Sequence, residues 1–279
     1  MQLTTIAGRR RLTSALIVLT DTHDADPLLE LLEPALGPEA RVDLLTVGGK
    51  RPPSASEVEL LAEPLRLAGH RVTTLRVAGA WAPAVEARLA ESPPLLTVVP
   101  CPTSARPFSA VWRQLERHVL ARAPATLVVK PDAPRRLRRI LLPLDGSEQG
   151  DRVTPFAAAL ARGHGAEALL LRAQPTGSNL AALRAHPDLL LPSRRALSAS
   201  VARSRGALDA AGVPSRTLTS RHEVTPAIVR HARRHAVDLV ALSTHGDGGL
   251  VERLLGTRAR AVLRHTPASA LVLNTARMR

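Results

Sequence analysis

Residues 238–273 read DLVALSTHGDGGLVERLLGTRARAVLRHTPASALVL, and this stretch decides the fold. The run Leu239 to Leu242 is short and apolar, and it breaks into Ser-Thr-His-Gly-Asp-Gly-Gly. That is the pattern of a buried parallel strand ending in a loop. Gly256-Thr257 then opens a helix with apolar positions at Ala259, Val262 and Leu263, and Pro267 stops it before a second strand over residues 270–273. Glycine followed by a hydroxyl residue at a helix start suits an anion. The first turn leaves backbone N–H groups unpaired and carries partial positive charge, glycine lets a phosphate approach, and the Thr257 hydroxyl supplies one more donor.

The spacing Gly246, nine residues, Gly256-Thr257, set after Ser-Thr-His and before Pro267, resembles the nucleotide loop of the universal stress protein family. That family's pattern is glycine, two residues, glycine, nine residues, then glycine with serine or threonine. Ser243 stands at the first glycine here, and Asp247 follows Gly246. The family also carries an aspartate at the end of its first strand, and Asp145 in ILLPLDGSE occupies that place. The resemblance implies an α/β fold of the adenine nucleotide alpha-hydrolase-like type that binds ATP or a related adenine nucleotide; the Asp247 carboxylate repels a triphosphate unless Mg²⁺ lies between them. It places Asp145 at the adenine end and the backbone of Ala173 and Leu242 along the adenosine. It sets Ser243 and Gly246 at the ribose and first phosphate, and Gly256 and Thr257 at the outer phosphates.

Outward from this unit the chain alternates. Apolar runs at residues 15–20, 42–47, 72–77, 95–99 and 126–129 are separated by helical patterns at 28–36, 54–68, 83–90 and 111–121. Alternation of this kind predicts a parallel sheet covered on both faces. The segment KPDAPRRLRR, residues 130–139, is rich in proline and charge and reads as a linker. The order then repeats, with strands at 140–144, 168–173 and 215–220 and helices at 153–162, 194–211 and 225–235 before the opening unit. The fold class is therefore two tandem doubly wound parallel five-stranded sheets, divided into residues 1–132 and 136–279, each expected to carry its own core.

The repeat is an internal duplication. A shift of 143 places Pro83 on Pro226, Val119-Leu120 on Val262-Leu263 and Pro124-Ala125 on Pro267-Ala268. Asp21 falls on Asp145 only with a shift of 124, so the second half should hold nineteen extra residues, with 174–193 as their place. Under the 143 shift, Ser243, Gly246, Gly256 and Thr257 fall on Pro100, Thr103, Arg113 and Gln114. The first half has lost every glycine of the loop, and Pro100 and Pro102 lack the N–H that a phosphate cradle uses. It is read as a degenerate, structural partner, joined to the second half as an internal pseudo-dimer through the strands near Val128 and Val272. Any homodimer would use another surface.

Composition narrows the classes. The net charge of +14 comes almost wholly from arginine, which raises a polyanion partner, but spread over solvated helix faces it is the ordinary surface of an arginine-rich chain. Tyrosine is absent and aromatics make up 1%, so bases cannot be stacked and nucleic acid is not the expected partner. The single cysteine, Cys101, forms no internal disulfide and fits a reducing, cytoplasmic setting. No apolar run reaches membrane-spanning length.

Other motifs fail on context. Gly163-His-Gly165 follows a helix and precedes a strand, which makes it a helix end and not a pyrophosphate turn. His231 and His235 share a helix face without a third ligand in sequence, so no metal site is assigned. There is no nucleophile elbow and no glycine-lysine phosphate loop, hence no catalytic residue, and slow ATP hydrolysis is the most that is expected. The rival readings are a nucleotide hydrolase or adenylating enzyme of similar topology, and an interaction module that binds no nucleotide.

Overall fold

A computed structural model of the chain describes residues 4–6, 9–21, 25–77, 81–101, 114–174, 193–244 and 257–277. The first half contains β1 (Thr4–Ile6), β2 (Arg9–Asp21), α1 (Ala25–Leu32), β3 (Leu36–Arg51), α2 (Ala55–Leu67), β4 (Arg71–Val77), α3 (Trp81–Glu91), β5 (Leu96–Pro100) and β6 (Ala125–Val129). The second contains β7 (Arg139–Leu144), α4 (Glu148–Asp151), α5 (Thr154–His164), β8 (Glu167–Ala173), α6 (Arg194–Ala210), β9 (Ser215–Ser220), α7 (Val224–Arg234), β10 (Leu239–Ser243), α8 (Thr257–His265) and β11 (Ser269–Leu273). Where α8 has its counterpart in the first half, residues Leu115–Leu120 form a π-helical turn.

Ten strands lie in the order β4-β3-β2-β5-β6-β11-β10-β7-β8-β9, with β1 paired to β2 outside that path. Each half reads third, second, first, fourth, fifth strand, the doubly wound arrangement, and every pairing within the path is parallel except one. The exception joins the halves: β6 and β11 run antiparallel, with Val128 opposite Ala270, Leu127 opposite Leu271 and Thr126 opposite Val272. Neither apolar strand is left as an edge open to aggregation.

Because the sheet is continuous, the cores are divided by face rather than by half. Side chains alternate along each strand, so one layer collects Ile17, Val42, Leu127, Ile140, Leu170 and Leu271 under α1, α2, α5 and α6. The other collects Leu16, Leu45, Val128, Leu141, Leu169 and Val272 under α3, α7 and α8. The expectation of a separate core in each half is replaced by two layers that both run through the whole chain.

Sheet register corrects the duplication. Ile140 stands 125 residues after Ala15, each opposite the same place on the fourth strand of its half. Ala168 follows Val42 by 126, and Ser215 follows Val72 by 143. The excess is therefore eighteen residues and not nineteen, seventeen of them between β8 and β9. Residues 175–192, where they were expected, lie outside the described residues. At the last strands the shift becomes 144, since Thr97 pairs with Thr126 whereas Val240 pairs with Ala270. Leu127 and Leu271 are then equivalent and face each other, which puts the pseudo-twofold axis between them.

A second contact crosses the halves where α5 meets the turn after α1. The His164 ring shares a 2.9 Å hydrogen bond with the Leu31 carbonyl through Nε2. Arg136 Nε donates to the His164 carbonyl at 2.9 Å, and Arg135 pairs with Glu30. A side chain on Gly163 would begin 2.4 Å from the Pro34 carbonyl oxygen, so glycine is required for that approach. Gly165 closes α5 at φ 66°, as a left-handed helix end should. No helix among the described residues is long and apolar enough to cross a membrane.

Candidate functional site

The site assembles where strand order reverses, between β7 and β10. These strands pair at only two positions, Leu239 with Ile140 and Val240 with Leu141. Beyond them β7 stays with β8 as far as Leu144 opposite Arg172, and β10 stays with β11 as far as Ser243 opposite Leu273. Pairing between the C-terminal ends therefore stops at the reversal point, the place where doubly wound sheets take ligands. In the first half the equivalent strands hold one pair longer, to Ile17 with Val98.

Asp145 follows the last residue of β7 at this reversal point. Its carboxylate is oriented by the turn that follows, for Ser147 donates to Oδ1 twice, from N–H at 2.9 Å and from Oγ at 2.8 Å. The same Ser147 oxygen accepts from Gly150 N–H at 2.8 Å and caps α4. Gly150 has no room for a side chain, since a Cβ would lie 2.3 Å from Asp145 Oδ1 and 2.9 Å from Ser147 Oγ. Asp151 comes next and turns toward α6. Its carboxylate accepts from Ser200 Oγ and, at 2.7 Å, from Arg203 Nε. Burial pushes the Asp151 carboxyl above the usual range. Ser200 and Arg203 draw it back, and the nearby Asp145 charge raises it further.

Of the residues expected at the site, Ala173 ends β8, Leu242 and Ser243 end β10, and Thr257 opens α8. Ala173 and Leu242 are buried. Gly246 and Gly256 lie outside the described residues, as do the side chain of Thr257 and its surroundings. Thr244 N–H bonds the Leu273 carbonyl at 2.8 Å, so the chain leaves β10 still anchored to β11. Ser147, Gly150 and Asp151 were missed in the sequence. A serine three residues before a glycine, directly after Asp145, is the signal that could have found the turn.

At the matching end of the first half, the register sets Leu19 level with Leu144, and beyond Leu19 the pairing of β2 with β3 is irregular as far as Asp21. Pro27, Leu28, Pro100, Cys101, Val129, Lys130 and Pro131 enclose a cavity of only about 20 Å³, roughly one water. Burial pushes the Cys101 thiol above its ordinary value, opposed by Lys130. A larger open groove of about 730 Å³ follows the outer stripe of α7, lined by His222, Pro226, Val229, Arg230, Arg233 and Arg234. It includes none of the site residues. The rings of His231 and His235 stack nearly in parallel, with centroids 5.5 Å apart.

A tandem pair of doubly wound units joined into one mostly parallel sheet defines a fold class, the adenine nucleotide alpha-hydrolase-like α/β proteins. Residues 136–274 match the model of the universal stress protein family, and through that half the chain belongs to the family. Among solved structures, it is similar to a universal stress protein of Pseudomonas aeruginosa UCBPP-PA14, at 18% identity and a TM-score of 0.61 over 94% of this chain and 93% of that one. A universal stress protein of Archaeoglobus fulgidus DSM 4304 gives 14% identity and 0.61 over 94% and 96%. The cytoplasmic domain of a prokaryotic cation chloride cotransporter gives 15% and 0.61 over 95% and 96%. At these identities the likeness is one of fold. No curated protein matches the chain.

Proposed function

We propose that the second half, residues 136–279, binds ATP or a related adenine nucleotide at the reversal point between β7 and β10, while the first half, residues 1–132, is a partner that has lost the site. The observation that carries the reading is the end of pairing between β7 and β10 after two pairs, with the Asp145 carboxylate oriented there by Ser147. Asp145 takes the adenine end, the backbone at Ala173 and Leu242 flanks the adenosine, and Ser243 and Gly246 reach the ribose and first phosphate. Gly256 and Thr257, at the start of α8, take the outer phosphates, where a helix N-terminus favours negative charge. Mg²⁺ would accompany ATP and offset the carboxylate of Asp247.

The output is regulatory and stress-protective, in the cytoplasm, with hydrolysis slow if present. Titration calorimetry of the full chain with ATP and Mg²⁺ tests the binding. Saturable heat that Gly256→Val abolishes is the expected result, because a branched side chain fills the space of the phosphate. Unchanged affinity in that variant refutes the phosphate role. Multiple turnover of ATP in the same preparation would move the protein to the hydrolase reading.

A further inference from the structure

The face between α6 and the start of the second half is polar where helix packing is ordinarily apolar. Ser200 and Arg203, one turn apart on α6, both bind Asp151, with Arg203 Nη2 at 2.6 Å and Nε at 2.7 Å from the same carboxylate oxygen. Along the same stripe Ser204 meets Thr154 at 3.2 Å between hydroxyls, both side chains fully buried. Asp151 is 10% exposed. An aspartate taken that far from water is costly unless its oxygens are satisfied, and here two donors from one helix satisfy them.

The seam bears on Asp145 through one peptide. Gly150, which accepts no side chain and bonds Ser147, is bound directly to Asp151. Fixing Asp151 against α6 therefore fixes the turn, and the turn aims the carboxylate of Asp145. In the first half the corresponding helix, α2, directs its polar groups elsewhere. Glu59 binds Arg66 of its own helix and Thr74 of β4. Among the described residues, the helix-to-turn clamp belongs to the half that keeps the aspartate.

We propose that Arg203 and Ser200 are positioning residues of the nucleotide site, holding the Asp145–Gly150 turn in its binding geometry through Asp151. The claim rests on the nucleotide reading, but its structural part is separately measurable. The charged groups that face Asp151 are Arg203 on α6 and Asp145 on the turn. Loss of the Arg203 charge leaves Asp151 with Ser200 alone, and the turn relaxes before the fold does, because Arg203 is 40% exposed and covers no core.

The test compares wild type, Arg203→Ala, Arg203→Lys and Asp151→Asn in the full chain, by amide exchange and by ATP titration. Arg203→Ala should speed exchange at the Ser147 and Gly150 amides and weaken ATP binding about three- to tenfold, with the melting temperature little changed. Arg203→Lys should recover part of both. Wild-type affinity should fall on acidification as Asp151 protonates and releases its donors, and Asp151→Asn should lose that dependence. Unaltered exchange at Ser147 and Gly150 in Arg203→Ala overturns the proposal whatever ATP does. Faster exchange in Arg203→Ala, with a wild-type chain that binds no ATP, keeps the clamp and removes the nucleotide reading instead.

Discussion

The two halves meet the same structural problem in opposite ways at both ends of their strands. At the N-terminal end, under α3, the first half buries Asp43, 1% exposed, with Arg88 at 2.8 Å and Arg41 at 3.7 Å. At the matching positions under α7, the second half has Leu169 and His231. Just past the C-terminal end of β7 the second half places a charge of its own, Asp145, oriented by Ser147. A buried ion pair contributes little net stability, because desolvating two charges consumes most of their attraction. Asp43 Oδ1, Arg41 Nε and Arg88 Nε also lack hydrogen-bond partners. The first half thus holds its charge where it serves packing, and the second where a ligand can meet it.

The comparison breaks most visibly at Arg88. Arg88→Ala leaves Asp43 buried without its main partner and should cost about 3–5 kcal/mol in urea unfolding. Writing the second half's solution into the first, as Asp43→Leu with Arg88→His, should restore most of that loss. If the double variant is no more stable than Arg88→Ala, burial of an unpaired charge is not the cause.

Next in size is the junction itself. Val272→Pro removes a backbone donor from β11, which lies between β6 and β10, and should cost about 3 kcal/mol or more. Exchange should rise along residues 125–129 of the first half as well as around the substitution. Protection that survives at 125–129 would show that the halves do not depend on this ladder.

A smaller effect separates binding from stability. Gly150→Ala drives a methyl into Asp145 Oδ1 and should weaken ATP binding about tenfold, or about 1.4 kcal/mol. The fold should change little, since α4 is a single turn on the surface. Equal affinity in this variant means that Asp145 does not need its present orientation.

Smallest is the response to acid, and it belongs mainly to the second half. Burial holds His164, His231 and His235 below the ordinary histidine value, with His70 the first-half example. For each, the unfolded chain binds its proton first. Stability is then complete above about pH 6.5 and is lost as pH falls through the lower folded-state values. Urea midpoints should drop between pH 7.5 and 5.5, and His164→Gln should flatten the slope. A midpoint that rises on acidification contradicts the assignment.

The strands were legible because buried parallel strands are apolar runs between turn residues, and β9 at Ser215–Ser220 falls where the sequence sets it. The shift of 125 between the first strands of the two halves was not legible. A one-residue drift leaves prolines and leucines aligned, and only pairing against β5 and β10 exposes it. The helix expected at 111–121 is π-helical in its described part, a difference of hydrogen-bond spacing that apolar periodicity does not resolve. Asp145 could be singled out from its strand end, but Arg203 could not, because it meets Asp151 across 52 residues and looks like any surface arginine until the helices are packed. The shared core layers were hidden for a similar reason, since they follow from the antiparallel pairing of β6 with β11.

The most direct test of the asymmetry is the stoichiometry of ATP with Mg²⁺ on the full chain, measured by titration calorimetry and repeated with Asp145→Ala. One nucleotide per chain, lost or strongly weakened in the variant, is what a single site in the second half predicts. Two nucleotides per chain, or one that Asp145→Ala leaves untouched, would contradict it.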